Sequence, residues 1–429
     1  MITRLRTYYL KTFGCRVNQA EGLKIEKDLQ KIGFFPLTSN QVPDLIVINS
    51  CVVTAKAEKE IKQVCRSLKR RYPSSFLVVI GCGPAFWKLK KEDFSIADLL
   101  LDNQEKKKLA AIIKKKFSCS SCYYDTVHGS RKRRTFLSNF GLVRALVKIQ
   151  DGCNQSCSYC LVPYLRTKIK SKPIPLVVKE IKEWVDKGVK EIVLTGVNLS
   201  LYRQEIPEFL EQILKKTKIS RIRFGSISVE VMSDRLIELY RREYQKSGIK
   251  TRLCRHFHIP LQSGSKKILE KMARKYTPDQ FRQLVKKIKK EIPGVTISTD
   301  LIVGFPGETE KDFKDSLQLV KELKFIKVHL FRFSKREKTF ACRMIEGKKW
   351  KPVPLKTVKR RAREAVKLNR AVGQKEVKRL KGEPLSVLFE GKKAPGVYRG
   401  YSDNYLDFRK KSSQNLVGQI KRVKLRPEK

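Results

Sequence analysis

Three cysteines near the middle of the chain carry the strongest chemical signal in the sequence. Cys153, Cys157 and Cys160 follow the pattern Cys-x3-Cys-x2-Cys in a loop after a predicted strand. Thiolates are soft ligands, and a [4Fe–4S] cluster normally takes four of them, so three leave one iron open for another ligand. A zinc site with a distant fourth ligand and a set of three unrelated thiols are the alternatives.

Cys15, Cys51 and Cys82 form a second candidate metal site, although they are far apart in the sequence. Each lies at the carboxyl end of a predicted strand. Parallel strands would bring the three thiols together at one edge of a sheet, where doubly wound folds bind ligands. Free cysteine is among the most buried residue types, so three ordinary core residues are the alternative. The shared placement favours a metal site.

The elements that must position these thiols form two series of alternating strands and helices, which indicate an α/β fold. The first series predicts an N-terminal parallel α/β domain. Its predicted elements are strand Tyr8–Cys15, helix Gln19–Ile32, strand Asp44–Val53, helix Ala55–Arg71 and strand Phe76–Cys82.

The second series repeats one strand-helix rhythm six times and predicts a central open (β/α)6 partial barrel. Its active site would lie at the C-terminal strand ends. Helices such as Pro175–Lys187 and Thr309–Leu323 separate the strands and carry apolar residues at helical spacing. The strands are predicted near Arg144–Gln150, Glu191–Thr195, Arg221–Gly225, His256–Leu261, Thr296–Val303 and Ile326–Phe333.

The tail predicts a small C-terminal β-barrel after a basic helix from Lys356 to about Leu380. Between the first two domains the composition is basic and irregular from about Lys106 to Arg134, which is typical of a linker. The predicted limits are 1–125, a linker at 126–142, 143–366 and 367–429. The strands of the tail are predicted at Leu385–Phe389, Gly396–Tyr401, Tyr405–Phe408 and Leu416–Leu425.

Charge and cysteine usage narrow the class of protein. The chain has 95 Lys and Arg against 42 Asp and Glu, a net charge of +53, which favours a nucleic-acid partner. A general lysine bias is the alternative. No apolar run approaches membrane-spanning length, and the first residues do not have the pattern of a secretory signal. We therefore expect a cytoplasmic protein whose eleven cysteines serve metal or redox chemistry, not disulfides.

The loop of Cys153 resembles the signature of the radical S-adenosylmethionine (SAM) superfamily, which has an aromatic residue before the last cysteine, as Tyr159 is here. The resemblance implies that SAM chelates the open iron and is split by an electron to a 5′-deoxyadenosyl radical. It also implies SAM contacts near glycines that follow strands, although such glycines usually serve turns. The residues implied are Tyr159, Gly196, Asn198, Ser263 and Gly304.

The segments 12–19 and 48–54 resemble the N-terminal domain of the methylthiotransferases, a family within that superfamily. In this family Cys15, Cys51 and Cys82 would hold an auxiliary [4Fe–4S] cluster that carries the sulfur to be delivered. One SAM would methylate that sulfur, and a second would give the radical that removes hydrogen from C2 of adenine. No catalytic side chain is expected beyond the six cluster ligands.

Segments 148–153, 258–265 and 299–308 are similar to the branch that modifies threonylcarbamoyladenosine beside the anticodon of tRNA. Other branches act on isopentenyladenosine in tRNA or on an aspartate of a ribosomal protein. A non-enzymatic, zinc-containing RNA-binding protein is an alternative of another class. The implied partners are tRNA and an electron donor, either a reductase or a flavodoxin-type protein. The sequence does not indicate an oligomeric state.

The segment 400–405 resembles the TRAM domain, a small RNA-binding β-barrel of this family. The resemblance and the mixture of aromatic and basic residues predict RNA contacts at Arg399, Tyr401, Asn404 and Tyr405. The alternative is that these tyrosines fill the core of the barrel.

Two departures from the family leave the substrate contacts near them open. Asn198 stands where this branch commonly has histidine, and 334–339 replaces a turn that contains proline and glycine. Cys119 and Cys122 form a Cys-x2-Cys that the family does not usually use, and ordinary thiols are favoured there. Ordinary thiols are also predicted at Cys65, Cys254 and Cys342, and at least one of His256 and His258 is predicted to be a packing residue.

Overall fold

The computed structural model describes residues 6–37, 41–117 and 143–424. The chain divides into two compact units. The N-terminal unit comprises Met1–Phe140 and Leu161–Thr167, and the C-terminal unit comprises Gly141–Cys160 and Lys168–Lys429. Cys119, Cys122 and the predicted linker 126–142 lie outside the described residues.

A parallel five-stranded sheet forms the N-terminal unit, in the order β2-β1-β3-β4-β5. The central strands β3 and β4 are runs of buried apolar residues, because helices cover both faces of a parallel sheet. The strands are β1 Arg6–Thr12, β2 Phe34–Pro36, β3 Leu45–Ser50, β4 Phe76–Gly81 and β5 Leu99–Leu101. The helices are α1 Arg16–Lys31, α2 Ala55–Arg71, α3 Cys82–Lys90, α4 Leu109–Lys116 and α5 Val162–Leu165.

The strands and helices predicted here are confirmed to within a few residues, but the sequence analysis did not predict helices α3, α4 and α5 or strands β2 and β5. Helix α4 lies where the basic composition suggested a linker. Its Leu109 and Ile113 are buried in the core of the unit, while its lysines face solvent. Strands β2 and β5 have three residues each and are too short to be recognised from composition.

Two sheets form the partial barrel of the C-terminal unit, in the orders β7-β6-β8-β9 and β10-β11-β12. The six predicted strands are confirmed and are parallel to their neighbours, and only the short added strand β7 is antiparallel. An isolated parallel bridge pairs Ile222 of β9 with Leu253, which lies just before β10 in the chain. The strands are β6 Arg144–Asp151, β7 Lys170–Ser171, β8 Glu191–Gly196, β9 Arg221–Phe224, β10 His256–His258, β11 Thr296–Val303 and β12 Lys327–Arg332.

Amphipathic helices cover the outer face of these sheets. Their apolar side chains pack against every second residue of the strands, and together they form one apolar core. Thr309 caps the helix Glu310–Leu323 through a capping box, which explains the start of that helix. The helices are α6 Ile174–Asp186, α7 Ile206–Lys216, α8 Asp234–Ser247, α9 Lys266–Lys271, α10 Pro278–Glu291, α11 Glu310–Leu323 and α12 Phe340–Glu346.

The chain ends in helix α13, Leu355–Arg379, and an antiparallel sheet in the order β15-β14-β13-β16. The helix continues through residue 366, where a domain limit was predicted, and the first strand of the sheet begins at Pro384. The curled sheet agrees with the predicted small β-barrel. Its strands are β13 Pro384–Ala394, β14 Val397–Ser402, β15 Asp407–Lys411 and β16 Ile420–Lys424.

A buried charge cluster joins this sheet to the amino ends of the barrel strands. Glu191 is fully buried, and its carboxylate lies 2.8 Å from Arg144 Nε, 2.8 Å from Arg223 Nε and 3.2 Å from Arg221 Nε. Arg223 also donates to the carbonyl oxygens of residues 402 and 403 at 3.0 Å each. Burial alone would raise the pKa of Glu191, but the three guanidinium groups hold it well below its usual range.

We predict that Glu191→Gln destabilises the protein by about 3 to 5 kcal/mol at pH 7, because the buried guanidinium groups of Arg221 and Arg223 lose their counter-charge. Arg144 keeps its pair with Glu390. The stabilising contribution of Glu191 is present above its unfolded-state pKa of about 4.3 and is lost as the pH falls toward the lower folded-state pKa. The variant should therefore lose less stability than the wild type between about pH 5 and about pH 3. Urea unfolding at both pH values measures this.

Glu208→Gln is the matched control, because the Glu208–Arg235 pair is exposed on both sides. Its removal should change the unfolding free energy by less than about 1 kcal/mol. Equal urea midpoints for Glu191→Gln and Glu208→Gln would contradict a stabilising role for the buried cluster.

Candidate metal centres

The N-terminal unit places Cys15, Cys51 and Cys82 at the carboxyl ends of β1, β3 and β4, as the sequence predicts. These three strands are adjacent, so the cysteines share one edge of the sheet. Cys15 precedes α1, Cys51 directly follows β3, and Cys82 is the first residue of α3. Cys51 and Cys82 are buried, whereas Cys15 is exposed.

The three thiols are close enough to influence one another electrostatically. Burial, with a contribution from Cys82 and a smaller one from Cys15, raises the pKa of the Cys51 thiol to about 12. The side-chain amide of Asn103 donates to Cys82 Sγ at 3.5 Å. A positively charged metal group would favour the thiolate forms that this environment otherwise disfavours.

A glycine lets the backbone approach Cys51 closely. Gly14 has a φ of +90°, and a Cβ at this position would lie 2.3 Å from Cys51 Cβ and 2.6 Å from Cys51 Sγ. Buried Asn18 joins the neighbouring loops, since its side-chain amide donates to the carbonyl oxygens of Phe13 at 3.0 Å and Ser50 at 2.8 Å. The side-chain amide of Asn49 donates to the carbonyl of Asn18 at 2.8 Å. The Gly-Cys-x-x-Asn segment therefore builds the cradle of this site.

Arg166 is a residue of this cradle that the sequence did not reveal. It lies in the segment after α5 that belongs to the N-terminal unit. Its guanidinium donates to both carboxylate oxygens of Glu21 at 2.9 Å and to Asn18 Oδ1 at 2.8 Å. Arg166 and Asn18 are both buried. Because the two residues are 148 positions apart, sequence spacing gave no signal of this contact.

The second cysteine triplet lies in the loop after β6 of the C-terminal unit. The side-chain amide of Asn198 donates to Cys153 Sγ at 3.7 Å, and Arg274 Nη1 donates to Cys157 Sγ at 3.3 Å. The loop is held by Ser158, whose backbone N–H donates to the carbonyl of residue 272 at 3.1 Å and whose hydroxyl donates to that of residue 271 at 2.7 Å. Arg274 is a second contact that the sequence did not reveal.

The predicted SAM-contacting residues lie near the C-terminal strand ends, and they differ in what their side chains can contact. Asn198 is beside Cys153, so the residue that replaces the family histidine borders the loop. Tyr159 is half-buried and packs edge-to-face on Phe305, with ring centroids 6.4 Å apart. Gly196 ends β8, and a Cβ there would meet Leu199 at 2.7 Å.

Two of these residues have neighbours within the chain that account for their residue type. Ser263 is fully buried, and its hydroxyl lies 3.3 Å from Ser316 Oγ and accepts from the backbone N–H of Ser265 at 3.2 Å. This side chain joins the loop after β10 to helix α11. A Cβ on Gly304 would lie 2.5 Å from Val358 Cγ2, so the close approach of α13 explains this glycine.

Residues predicted to contact RNA also have partners within the chain. Asn404 is fully buried, and its side-chain amide donates to the carbonyl of residue 294 at 3.1 Å. Tyr405 stacks on His256 and on Tyr401, with ring centroids 4.9 and 5.2 Å apart. Asn404 and Tyr405 therefore dock the C-terminal sheet on the barrel. Arg399, which is half-buried, is bound to Asp407 at 2.7 Å.

Among the described residues, no three His, Cys, Asp or Glu side chains are arranged to hold a single metal ion. The three cysteines of a [4Fe–4S] cluster bind three different irons, so their sulfurs are further apart than the ligands of one zinc ion. Two sets of three soft thiols, one of them in a cradle that a single Cβ would fill, fit such a cluster.

Sequence comparison identifies the family. Residues 147–320 match the Radical SAM superfamily, and residues 7–100 match the Uncharacterized protein family UPF0004. The threonylcarbamoyladenosine tRNA methylthiotransferase MtaB of Thermotoga maritima is 34% identical over 435 residues, which cover 98% of this chain and 95% of that protein. The chain belongs to the methylthiotransferase family of radical SAM enzymes. SAM and [4Fe–4S] clusters are therefore its cofactors, as the resemblance implied.

A second branch of the methylthiotransferases is also similar. The tRNA-2-methylthio-N(6)-dimethylallyladenosine synthase of Anoxybacillus flavithermus is 32% identical over 433 residues, covering 96% of this chain and 78% of that protein. Among solved structures, the radical SAM methyltransferase TsrM of Kitasatospora setae superposes with a TM-score of 0.55 over 80% of this chain and 78% of that chain. At 13% identity this likeness shows the fold alone.

The helices that the structure describes include none with the length and apolarity needed to cross a membrane.

We predict that Gly14→Ala removes the iron held at the N-terminal thiols and preserves the iron of the other site. The added Cβ would displace Cys51, so anaerobically reconstituted protein should hold about four irons in place of about eight. Iron and sulfide analysis measures this. Gly188→Ala is the control, because Gly188 has a φ of +84° and no atom within 4 Å of an added Cβ. Unchanged iron in Gly14→Ala would show that the cradle is not required.

Proposed function

We propose that this enzyme adds a methylthio group at C2 of threonylcarbamoyladenosine next to the anticodon of tRNA. The observation that carries the proposal is the pair of cysteine triplets, one at the carboxyl ends of three parallel strands and one in the loop after β6, in a chain that aligns with MtaB over nearly its whole length. The zinc-containing RNA-binding protein considered from the sequence is set aside, because the family is enzymatic.

Dimethylallyladenosine in tRNA is the second candidate substrate, since the synthases that carry this name are also about one-third identical. Those proteins are longer than this chain, which covers 78% of the first and 95% of the MtaB relative. The difference in coverage favours threonylcarbamoyladenosine. An aspartate of a ribosomal protein is less consistent with these relatives, all of which are named for tRNA.

In the proposed mechanism the two triplets have different tasks. Cys15, Cys51 and Cys82 would hold the auxiliary cluster, and Cys153, Cys157 and Cys160 would hold the cluster that binds SAM. When bound, these groups and SAM supply the sulfur, the methyl group and the radical. The chain itself positions them, through the Gly14 cradle in one unit and through the contacts of Asn198 and Arg274 in the other.

An apolar cluster would protect the radical site from water. Tyr159 packs with Phe305, and Phe305 contacts Phe333 and Trp350 with ring centroids 5.3 and 5.6 Å away. The cluster also contains Met272, whose carbonyl holds the cysteine loop.

We propose that a reductase or a flavodoxin-type protein supplies the electron, and that the enzyme acts in the cytoplasm, where its tRNA substrate is found.

Exposed cations on the C-terminal sheet are the proposed contacts with the phosphates of tRNA, and they replace the buried Asn404 in this role. Phosphate contacts supply most of the salt-dependent affinity for nucleic acid. These side chains lie on β13, β15 and β16, and all are exposed. They are Lys392, Lys393, Arg409, Lys410, Lys411, Lys421, Arg422 and Lys424.

We predict that the Cys153/Cys157/Cys160 triple alanine variant retains about four of the eight irons expected for the reconstituted wild type. Cys157→Ala alone should abolish reductive SAM cleavage. Cys51→Ala should retain part of that cleavage but form no methylthio product on tRNA. Iron analysis, detection of 5′-deoxyadenosine and mass spectrometry of tRNA nucleosides measure the three results. Equal loss of both activities in the two single variants would contradict the division of labour, and zinc in place of iron would overturn the mechanism.

We predict that replacing Arg409, Lys410 and Lys411 by alanine weakens tRNA binding, because three phosphate contacts are lost. The slope of log K against log salt concentration should become shallower by about 2 to 3. The control replaces Lys179, Lys182 and Lys190 by alanine, which removes the same charge from exposed positions of the barrel. An identical slope change in both variants would indicate general charge attraction and not a specific tRNA surface.

A further inference from the structure

The inner faces of β10, β11 and β12 carry a polar layer that neither cysteine site uses. Alternate residues of these strands, such as Phe257, Leu301 and Val328, belong to the apolar core under the helices. Because successive strand residues point to opposite faces, His258, Asp300 and His329 face the other side of the sheet. Asp300 and His329 are direct partners in the β11–β12 register.

These three side chains form one connected group. His258 Nε2 lies 3.1 Å from Asp300 Oδ1, and His258 Nδ1 lies 2.9 Å from Ser298 Oγ. The rings of His258 and His329 meet edge to face, with centroids 5.2 Å apart. The side chains of His258 and Asp300 are 17% and 20% exposed. A ligand on this face can therefore reach a group whose geometry is already set by hydrogen bonds.

An exposed aromatic ring continues the same face. Phe331 is two residues beyond His329 on β12 and is 45% exposed, although it is a large apolar residue. Lys327, two residues before His329, is exposed on the same face. An open aromatic surface beside polar donors is the arrangement that proteins use to stack a base and bind its substituents.

The two candidate nucleosides differ in the group that this layer would meet. The dimethylallyl group is a hydrocarbon, whereas the threonylcarbamoyl group carries a carboxylate and a hydroxyl. A hydrocarbon forms no hydrogen bond with these polar side chains, whereas the carboxylate and the hydroxyl of the threonylcarbamoyl group can each form one. Sites built to hydrogen-bond a substrate group discriminate strongly against an analogue that lacks it.

We propose that Phe331 stacks on the adenine of the substrate and that His329, supported by the His258–Asp300 pair, binds the threonyl carboxylate or hydroxyl. This layer thereby selects threonylcarbamoyladenosine over dimethylallyladenosine. His258 acts as a positioning residue, because both of its ring nitrogens already have partners within the protein. The inference rests on the proposed function and names the part of the chain that decides between its two substrates.

The test uses anaerobically reconstituted full-length enzyme and three synthetic anticodon stem-loops. These contain threonylcarbamoyladenosine, dimethylallyladenosine or unmodified adenosine at the same position. Binding is measured by fluorescence anisotropy, and the methylthio product by mass spectrometry with kcat and KM separated. The variants are His329→Leu and His329→Gln, and Arg332→Leu is the control. Arg332 is exposed on the same strand but alternates to the opposite face.

The wild type should bind the threonylcarbamoyl stem-loop most tightly. His329→Leu should weaken that binding about tenfold or more, the loss expected for one hydrogen bond to a charged group, and raise KM more than it lowers kcat. It should bind the unmodified loop as the wild type does. His329→Gln, which keeps an N–H donor, should restore part of the preference. Arg332→Leu should affect the three loops equally.

The outcomes separate this inference from the proposed function. Unchanged preference in both His329 variants, with product still formed on the threonylcarbamoyl loop, overturns the inference and leaves the function intact. Wild-type preference for the dimethylallyl loop overturns the inference and the substrate assignment together. SAM cleavage by the wild type without product on any loop refutes the proposed function itself. If His329→Leu does not fold, His329→Gln and Phe331→Leu are used to test the preference among the three stem-loops.

Discussion

Hydrogen bonding between parallel strands is the constraint on which both cysteine sites depend. The ladders of β1, β3 and β4 align the carboxyl ends of these strands, so cysteines separated by more than 30 residues meet at one edge. In the barrel the same arrangement gathers the loops that follow β6, β8 and β10. The sequences of loops at strand ends can vary, because the hydrogen bonds between the strands fix where each loop begins. The chemistry therefore rests on backbone hydrogen bonds that carry no chemical specificity of their own.

Close packing then determines how the loops are shaped. Gly14 leaves room for the Cys51 side chain, and Asn18 holds two neighbouring turns through their carbonyl groups. Arg166 fixes Asn18 from a segment far along the sequence. In the C-terminal unit, Arg274 and Asn198 donate to two of the three cysteine sulfurs. Donors of this kind stabilise and orient thiolates, so they would support the proposed metal sites together with the cysteines.

The opposite end of the barrel serves stability. Glu191 and its three arginines form a buried network whose charges nearly all have partners, and the turn at 402–405 closes over it. Tyr405 stacks between His256 and Tyr401, and Arg223 lies 4.6 Å from the centre of its ring. Aromatic and basic residues in a tail that resembles an RNA-binding domain are thus partly committed to docking within the chain. The exposed cations of the sheet are better placed for phosphates.

Local pattern in the sequence determined the strand and helix series, the two cysteine triplets and the family, because periodicity, spacing and motifs are short-range properties. It did not determine which side chains surround the thiols. Arg166 meets Asn18 across 148 positions, and Ser263 meets Ser316 across 53, so no local rule identifies either contact. Helix α4 and the short strands β2 and β5 were missed because tertiary packing stabilises elements whose own composition is ambiguous. Two further features depend on how the strands pair and on which face of each sheet is buried. They are the burial of Asn404 and the inner-face group of His258, Asp300 and His329.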